Sequence, residues 1–194
     1  MLTRGGDDGF TLVEVLISIA ILGILVGAIS SALFVALRTT GSADVRLTES
    51  NDELFAATYF SDDVQGAKSV AIATTPRCGA DSSVVVEFVG RDFSDDSTFA
   101  PKTTVVSYVV RTVTGSAGTT TRQLHRLACA APTATPSYPL TPTSDITVVR
   151  RLGATAPVAD CAGVACGAFA RVNLTLQEQS GDLVYTLTGL WRTS

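Results

Sequence analysis

The chain has 194 residues and a formal net charge of -4, so it offers no basic surface for electrostatic binding of nucleic acid or anionic lipid. Hydrophobic residues make up 46% of it and charged residues only 16%, which indicates that part of the chain does not lie in water. After the first apolar segment about 130 residues remain, enough for one small hydrophobic core but hardly for two.

The first predicted element is a membrane helix. Residues 15–37 contain no Asp, Glu, Lys, Arg or His. At about 1.5 Å per residue this run exceeds the roughly 30 Å hydrocarbon core of a bilayer. One carboxylate, Glu14, precedes the run directly. An ionised Glu near the centre of a membrane helix costs about 2.5–3.5 kcal/mol, and less towards an end, so a Glu at this position needs a partner or a function.

The junction before this run carries a specific motif. Gly9 and Phe10 are followed by Thr11-Leu12-Val13-Glu14, which places Glu14 fifth in a chain that begins at Phe10. This pattern resembles the prepilin cleavage signature of type IV pilins and type II secretion pseudopilins. The resemblance implies that residues 1–9 are a leader removed by a membrane prepilin peptidase. It also implies that Phe10 becomes the N-methylated amino terminus, and that Glu14 neutralises the amine of a neighbouring subunit.

The same resemblance implies the protein's role. The expected product is a structural subunit, a minor pilin or pseudopilin, that an assembly ATPase and an inner-membrane platform protein transfer from the membrane into a helical filament with other pilins or pseudopilins. The amino terminus would be cytoplasmic and the globular domain extracytoplasmic, with the filament periplasmic or at the cell surface. The alternative is a filament-tip module that binds DNA, a surface or an exported protein. No cofactor and no catalytic activity are expected.

The amino terminus has three other interpretations. A lipoprotein signal is excluded, because no Cys precedes Cys78. A secretory signal peptide usually has an apolar region of about 7–15 residues, which is shorter than the run found here. A plain single-pass anchor would instead hold Glu14 at the level of the lipid headgroups. The charges give little help with orientation, because Arg38 and Arg46 follow the span closely and the positive-inside rule does not place the amino terminus in the cytoplasm.

Beyond the span the helix is predicted to continue to Gly66, since the chain has no Pro before Pro76. We therefore expect a helix over residues 10–66, with the membrane segment at about residues 10–37. Its apolar face, predicted to pack on a sheet, consists of Leu47, Leu54, Ala57 and Val64, with Phe55 and Phe60 beside it. The acidic residues Glu49, Asp52, Asp62 and Asp63 are expected mostly on other faces.

Residues 67–194 are predicted to form a β-rich domain, which gives an α+β, pilin-like fold with an antiparallel sheet. Candidate strands lie at residues 84–89, 105–111, 122–127, 146–152, 169–177 and 183–191, and several of them alternate apolar and polar residues. Residues 179–182 are predicted to turn the last hairpin. Residues 91–104 and the Pro-rich residues 132–144 are predicted to be loops, the latter irregular and exposed. A looser hydrophobic rhythm over residues 59–65, 84–88, 105–110 and 124–127 resembles J-type minor pseudopilins.

All four cysteines follow the span, which favours disulfides in an oxidising compartment. Cys78, Cys129, Cys161 and Cys166 allow three connectivities, and the short spacing favours Cys161 with Cys166, leaving Cys78 with Cys129. A zinc site is the competing interpretation, but the spacing of a Cys knuckle is missing.

Other chemistry is weakly signalled. His125 is the only histidine, and in a predicted strand a surface or cross-strand role is favoured over general base catalysis. Residues 115–118 are expected to be a hairpin tip rather than a phosphate site. Asp92, Asp95 and Asp96 could bind calcium, but they lack EF-hand spacing, so a solvated acidic loop is favoured.

Overall fold

The structure is a computed structural model that describes residues 11–81, 83–92, 102–115, 118–161, 166, 171–179, 181 and 183–190. These residues form one long helix, α1 (Leu12–Gly66), followed by strands β1 (Ala67–Ile72), β2 (Val84–Asp92), β3 (Lys102–Thr114), β4 (Thr120–Ala131), β5 (Ser144–Leu152), β6 (Val158–Cys161), β7 (Arg171–Gln177) and β8 (Val184–Leu190). The chain divides into two compact units, Met1–Leu47 and Thr48–Ser194. The layout is α+β and pilin-like, with an apolar amino-terminal helix followed by an antiparallel β domain.

The second unit contains two antiparallel sheets. The larger one is a meander in the order β1-β2-β3-β4-β5, and the smaller one has the order β6-β7-β8. The pairing of β3 with β4 runs without interruption from Thr103 opposite Ala131 to Thr114 opposite Thr120. The β3 sequence is rich in Val and Thr, whose branched side chains suit a pleated surface. Along β8 exposed and buried residues alternate strictly, as expected for a strand with one face on the core.

The larger sheet is covered on both faces. On one face, Phe60 of α1 packs edge-to-face against Phe88 and Tyr108, with ring centroids 5.7 Å apart in both pairs. This cluster continues into β7 and β8 through Val172, Leu174, Leu176 and Leu187. The other face is buried by a smaller cluster that includes Cys78, Val105, Leu127 and Cys129. The two faces explain the near-continuous burial of β2 and β3.

Close contact between helix and sheet requires glycine at two positions. A Cβ on Gly189 of β8 would lie 2.7 Å from the Val64 side chain, and one on Gly90 of β2 would lie 2.8 Å from the backbone oxygen of Gly66. Cβ atoms do not approach other atoms so closely, so these glycines set the distance at which α1 lies over both strands.

The face of α1 predicted to contact the sheet is wrong. Leu47 and Leu54 are 63% and 69% exposed, and Ala57 and Phe55 are exposed as well. The buried residues are Glu49, Asp52, Ala56, Phe60 and Val64, which recur at helical spacing. Of the residues predicted on or beside the packed face, only Phe60 and Val64 are buried. The prediction failed because it placed the acidic residues of the helix on other faces, whereas Glu49 and Asp52 lie on the face of α1 that is buried.

All six predicted strands are confirmed in place, but two of the eight observed strands, β1 and β6, were not predicted. Every candidate strand overlaps an observed one within the described residues, which do not include residues 169, 170 and 191. β1 was missed because it follows α1 directly at Ala67, without a turn signal between them. β6 was missed because it has four residues, too few to show a period.

The Pro-rich loop is partly docked, in contrast to the predicted fully exposed loop. Most of residues 132–139 are exposed, but Leu140 forms a bridge with Cys78, and Gly79 N donates to Leu140 O at 2.9 Å. Disulfides join Cys78 to Cys129 and Cys161 to Cys166. The first crosslinks the chain after β1 to β4, beneath this loop, and a 51-residue separation makes it the larger constraint on the unfolded chain.

Candidate functional site

The amino-terminal part of α1 presents an uninterrupted apolar surface. Leu12–Thr40 contains an 18-residue window with a mean hydropathy of 2.7, and none of the residues of that window is buried within the structure. By length and composition it can cross a membrane. In water such a surface would be strongly unfavourable, at about 25 cal/mol for every Å² left exposed. The segment therefore requires lipid or other apolar helices around it.

Hydroxyl groups in this segment are bonded within the helix. Ser18 Oγ donates to Glu14 O at 2.8 Å, Ser31 Oγ to Ala28 O at 2.8 Å and Thr39 Oγ1 to Val35 O at 2.9 Å. A hydroxyl that donates a hydrogen bond to a backbone carbonyl of the preceding turn needs no hydrogen bond to water. Polar side chains within the span are thus compatible with an apolar environment.

Glu14 lies in the first turn of α1, where Thr11 caps the helix. The backbone N of Glu14 donates to Thr11 Oγ1 at 3.3 Å, as at an N-cap. The carboxylate is exposed, and among the described residues it has no ion-pair partner. A carboxylate near a helix amino terminus is favoured by the helix dipole, by about 0.3–1 kcal/mol at an exposed site. That gain does not offset the cost of burying an ionised carboxylate in lipid. The predicted pairing of Glu14 with the amine of a neighbouring subunit would offset it.

Gly9 and Phe10, the residues predicted at the cleavage and methylation site, lie outside the described residues. The sequence prediction for them is therefore neither supported nor opposed by the geometry. Asp95 and Asp96 of the suggested calcium loop also lie outside, as do Ser116 and Ala117 of the predicted hairpin tip.

The carboxyl-terminal turns of α1 are fixed to the sheet by a buried ion pair. Asp63 accepts from Arg126 Nε at 2.7 Å, from Arg126 Nη2 at 2.6 Å and from the Tyr108 hydroxyl at 2.7 Å. Burial and the adjacent Asp63 raise the pKa of Tyr108 well above its ordinary value, so the phenol stays a donor. The hydrogen bond with Asp63 likewise raises the pKa of Arg126. Sequence reasoning missed this pair, because Asp63 and Arg126 are distant in the chain.

The single histidine belongs to a surface network across three strands. His125 Nδ1 lies 2.8 Å from Asp145 Oδ1, and Arg111 bonds both Asp145 and Asp81, the latter at 2.7 Å. Burial alone would raise the pKa of Asp145, but hydrogen bonds with Arg111 and His125 outweigh it and the pKa is lowered. Among the described residues, His125 contacts Asp145, Arg111 and Gln123, none of which carries a hydroxyl or thiol that a histidine base would activate. The cross-strand role predicted for His125 agrees with this geometry.

A cluster of buried acidic residues includes Glu49 and Asp52, near the start of the part of α1 that belongs to the domain. Glu49 and Asp52 of the helix are buried, as is Glu178 just after β7. The Tyr185 hydroxyl donates to Glu178 Oε1 at 3.1 Å. Within the described part of the chain, no group of three or more His, Cys, Asp or Glu side chains is arranged to hold a metal ion. No pattern in the sequence indicates this cluster, because Glu178 precedes a predicted turn and resembles a solvated residue.

Comparison with known families identifies the amino-terminal segment. Residues 5–30 match the family model of the prokaryotic N-terminal methylation motif, which is the signature of type IV pilins and pseudopilins. This motif supports a type IV pilin-like or pseudopilin subunit, a class of proteins that is usually structural. No curated protein and no solved structure matches the chain.

Proposed function

We propose that this protein is a minor pilin or pseudopilin, a structural subunit of a type IV pilus or a type II secretion pseudopilus. Prepilin peptidase would cleave the chain between Gly9 and Phe10 and methylate the new amine of Phe10. An inner-membrane platform protein and a cytoplasmic ATPase would then transfer the subunit into a filament of pilins or pseudopilins.

The observation that carries the proposal is the combination of the methylation motif with the chemistry of the segment it covers. Leu12–Thr40 is apolar and unburied, so neighbouring helices of the same kind can replace lipid around it. A chain beginning at Phe10 would carry an ammonium next to an apolar helix, and Glu14 lacks a cation among the described residues. Pairing the amine of one subunit with Glu14 of another would satisfy both charges.

The proposed organisation follows from the same argument. Residues 1–9 are the leader and residues 10–66 the helix, with a membrane segment at residues 10–37. Residues 67–194 are an extracytoplasmic domain. Both disulfides favour an oxidising compartment for this domain and therefore a cytoplasmic amino terminus.

The test is a Glu14→Ala substitution in cells that produce the filament. The variant should be inserted and cleaved normally, since neither step uses the carboxylate, but its incorporation into sheared filaments should fall at least tenfold. Asp44→Ala, which removes an exposed carboxylate from α1 beyond the span, is the matched control and should assemble normally. Mass spectrometry of the mature protein should find N-methylated phenylalanine at its start.

Two results would contradict the proposal. The first is a mature protein that still begins at Met1 or is cleaved far downstream. The second is normal incorporation of Glu14→Ala, which would remove the assembly role of Glu14 while leaving processing at Phe10 intact.

A further inference from the structure

Within residues 48–55 of α1, the side chains buried against the domain are acidic. In this stretch the only buried residues are Glu49 and Asp52, which are 7% and 6% exposed, and the first buried apolar side chain is Ala56. Farther along, Phe60 and Val64 provide apolar contact. The docking of the two halves of this helical segment therefore rests on different chemistry.

Two carboxylate oxygens in this contact have no donor. Oε2 of Glu178, a residue with no exposed surface, and Oε1 of Glu49 are buried without a hydrogen-bond partner among the described residues. Asp52 is better satisfied, because its Oδ2 accepts from the backbone N of Arg150 at 2.8 Å. A buried carboxylate without a donor is strongly unfavourable when ionised, and it is relieved most simply by a proton.

The surroundings of Glu178 favour the protonated form. Burial, followed by the charges of Glu49, Asp52 and Glu53, raises its pKa to about 7, against the lowering effect of the Tyr185 hydrogen bond. The same burial, with Glu178 next to it, raises the pKa of Tyr185, so the phenol remains protonated throughout the neutral range.

Among the described residues, no ion pair joins a cation to Glu178. On β5, Arg150 Nε lies 3.9 Å from Asp52 Oδ1, and its side chain is 66% exposed. Arg151 is exposed, and its recorded contact with the β7–β8 turn is through its backbone oxygen, which accepts from Gln179 N at 3.1 Å. Among the described residues, the charges that act on Glu178 are the carboxylates of Glu49, Asp52 and Glu53 on α1, and its hydrogen-bond partner is the Tyr185 hydroxyl of β8.

We propose that the carboxyl of Glu178, facing Glu49, is a proton-dependent docking site for residues 48–55 of α1. When Glu178 is protonated it can donate to a helix carboxylate, and the segment is held on the domain. When it is ionised the carboxylates repel one another, and the segment separates while the apolar contacts from Ala56 onwards persist. This inference is independent of the proposed role in a filament.

The direction of the pH dependence follows from the two states of the segment. The docked state binds the Glu178 proton more tightly than the open state, so docking is strongest at low pH and weakens as pH rises from about 4.5 to about 7. The pKa of Glu178 is raised from 4.5 to about 7 in the docked state, and this difference makes opening on the order of 100-fold more favourable at pH 8 than at pH 4.5.

The experiment is hydrogen–deuterium exchange on the full-length protein in non-ionic detergent micelles, with EDTA, between pH 4.5 and 8.5. After correction for the intrinsic rate, peptides covering residues 48–55 should lose up to about 100-fold in protection as pH rises, while those covering residues 56–66 should change far less. In Glu178→Gln, whose amide can donate at every pH, protection should be independent of pH. Asp62→Asn, which removes an exposed carboxylate from the same helix, should retain the pH dependence of the parent protein.

A second variant keeps the test decisive if Glu178→Gln fails to fold. Glu49→Gln removes the carboxylate whose charge has the largest effect on Glu178. This change should move the midpoint of the loss of protection to lower pH. An unchanged pH profile in both variants would overturn the proposal. So would protection at pH 8 that is restored in the parent protein by millimolar calcium, because the carboxylates would then bind a cation rather than a proton.

Discussion

The orientation of α1 on the domain can be tested by comparing Phe60→Ala with Leu54→Ala. The two side chains lie on the same helix, but Phe60 has no exposed surface whereas Leu54 is 69% exposed. Phe60 also makes edge-to-face contacts with Phe88 and Tyr108. Truncating a buried Phe costs about 3–5 kcal/mol, and the loss of two aromatic pairs places the expected value near the upper end. An exposed leucine should cost less than about 0.5 kcal/mol.

The measurement is the free energy of unfolding of the domain by urea, in full-length oxidised protein kept in non-ionic detergent. With a slope of about 1–3 kcal/mol per M, a loss of about 4 kcal/mol lowers the midpoint by about 1.5–4 M. Hydrogen exchange of β2 and β3 peptides at the same urea concentrations separates unfolding of the domain from effects on the micelle. Equal losses in both variants, or a greater loss in Leu54→Ala, would refute the orientation of α1 and favour the face that the sequence predicted.

Two further substitutions test how the helix is fixed. Asp63→Asn should cost about 3–5 kcal/mol in the same urea assay, because Arg126, whose side chain is 15% exposed, would keep a buried charge without its partner. Asp62→Asn is the exposed control, and a cost as small as that of this control would show that the ion pair contributes nothing. Gly189→Ala should cost about 1–3 kcal/mol through overpacking against Val64. Combining it with Val64→Ala should cost less than the sum of the two single changes, whereas strict additivity would mean that the two residues do not touch.

Much of the fold could be predicted from the sequence because its signals are local. A run without charges over residues 15–37 predicts a span, and the Val- and Thr-rich composition of β3 predicts a strand whatever its neighbours are. What could not be predicted depends on distant partners. Asp52 is buried where it accepts from the backbone N of Arg150, and Glu49 is buried close enough to Glu178 to act on its charge, and no pattern within the helix reports either contact. The helix face was assigned wrongly for this reason.

The candidate site divides in the same way. The motif around Gly9, Phe10 and Glu14 is contiguous, so it can be recognised without a fold, and its chemical roles stay predictions. The Asp63–Arg126 pair joins residues 63 positions apart, and only the three-dimensional structure brings them together.

The row of Ala56, Phe60 and Val64 gives the domain a mechanical property. These side chains lie on successive turns of one helix, and all three belong to the hydrophobic core of the domain. Sliding α1 along its axis would have to move Phe60 past two aromatic rings, and Val64 past Gly189, while breaking the Asp63 ion pair in the same step. Because these contacts are loaded in parallel rather than one after another, the domain should resist a steady pull far better than its modest size suggests.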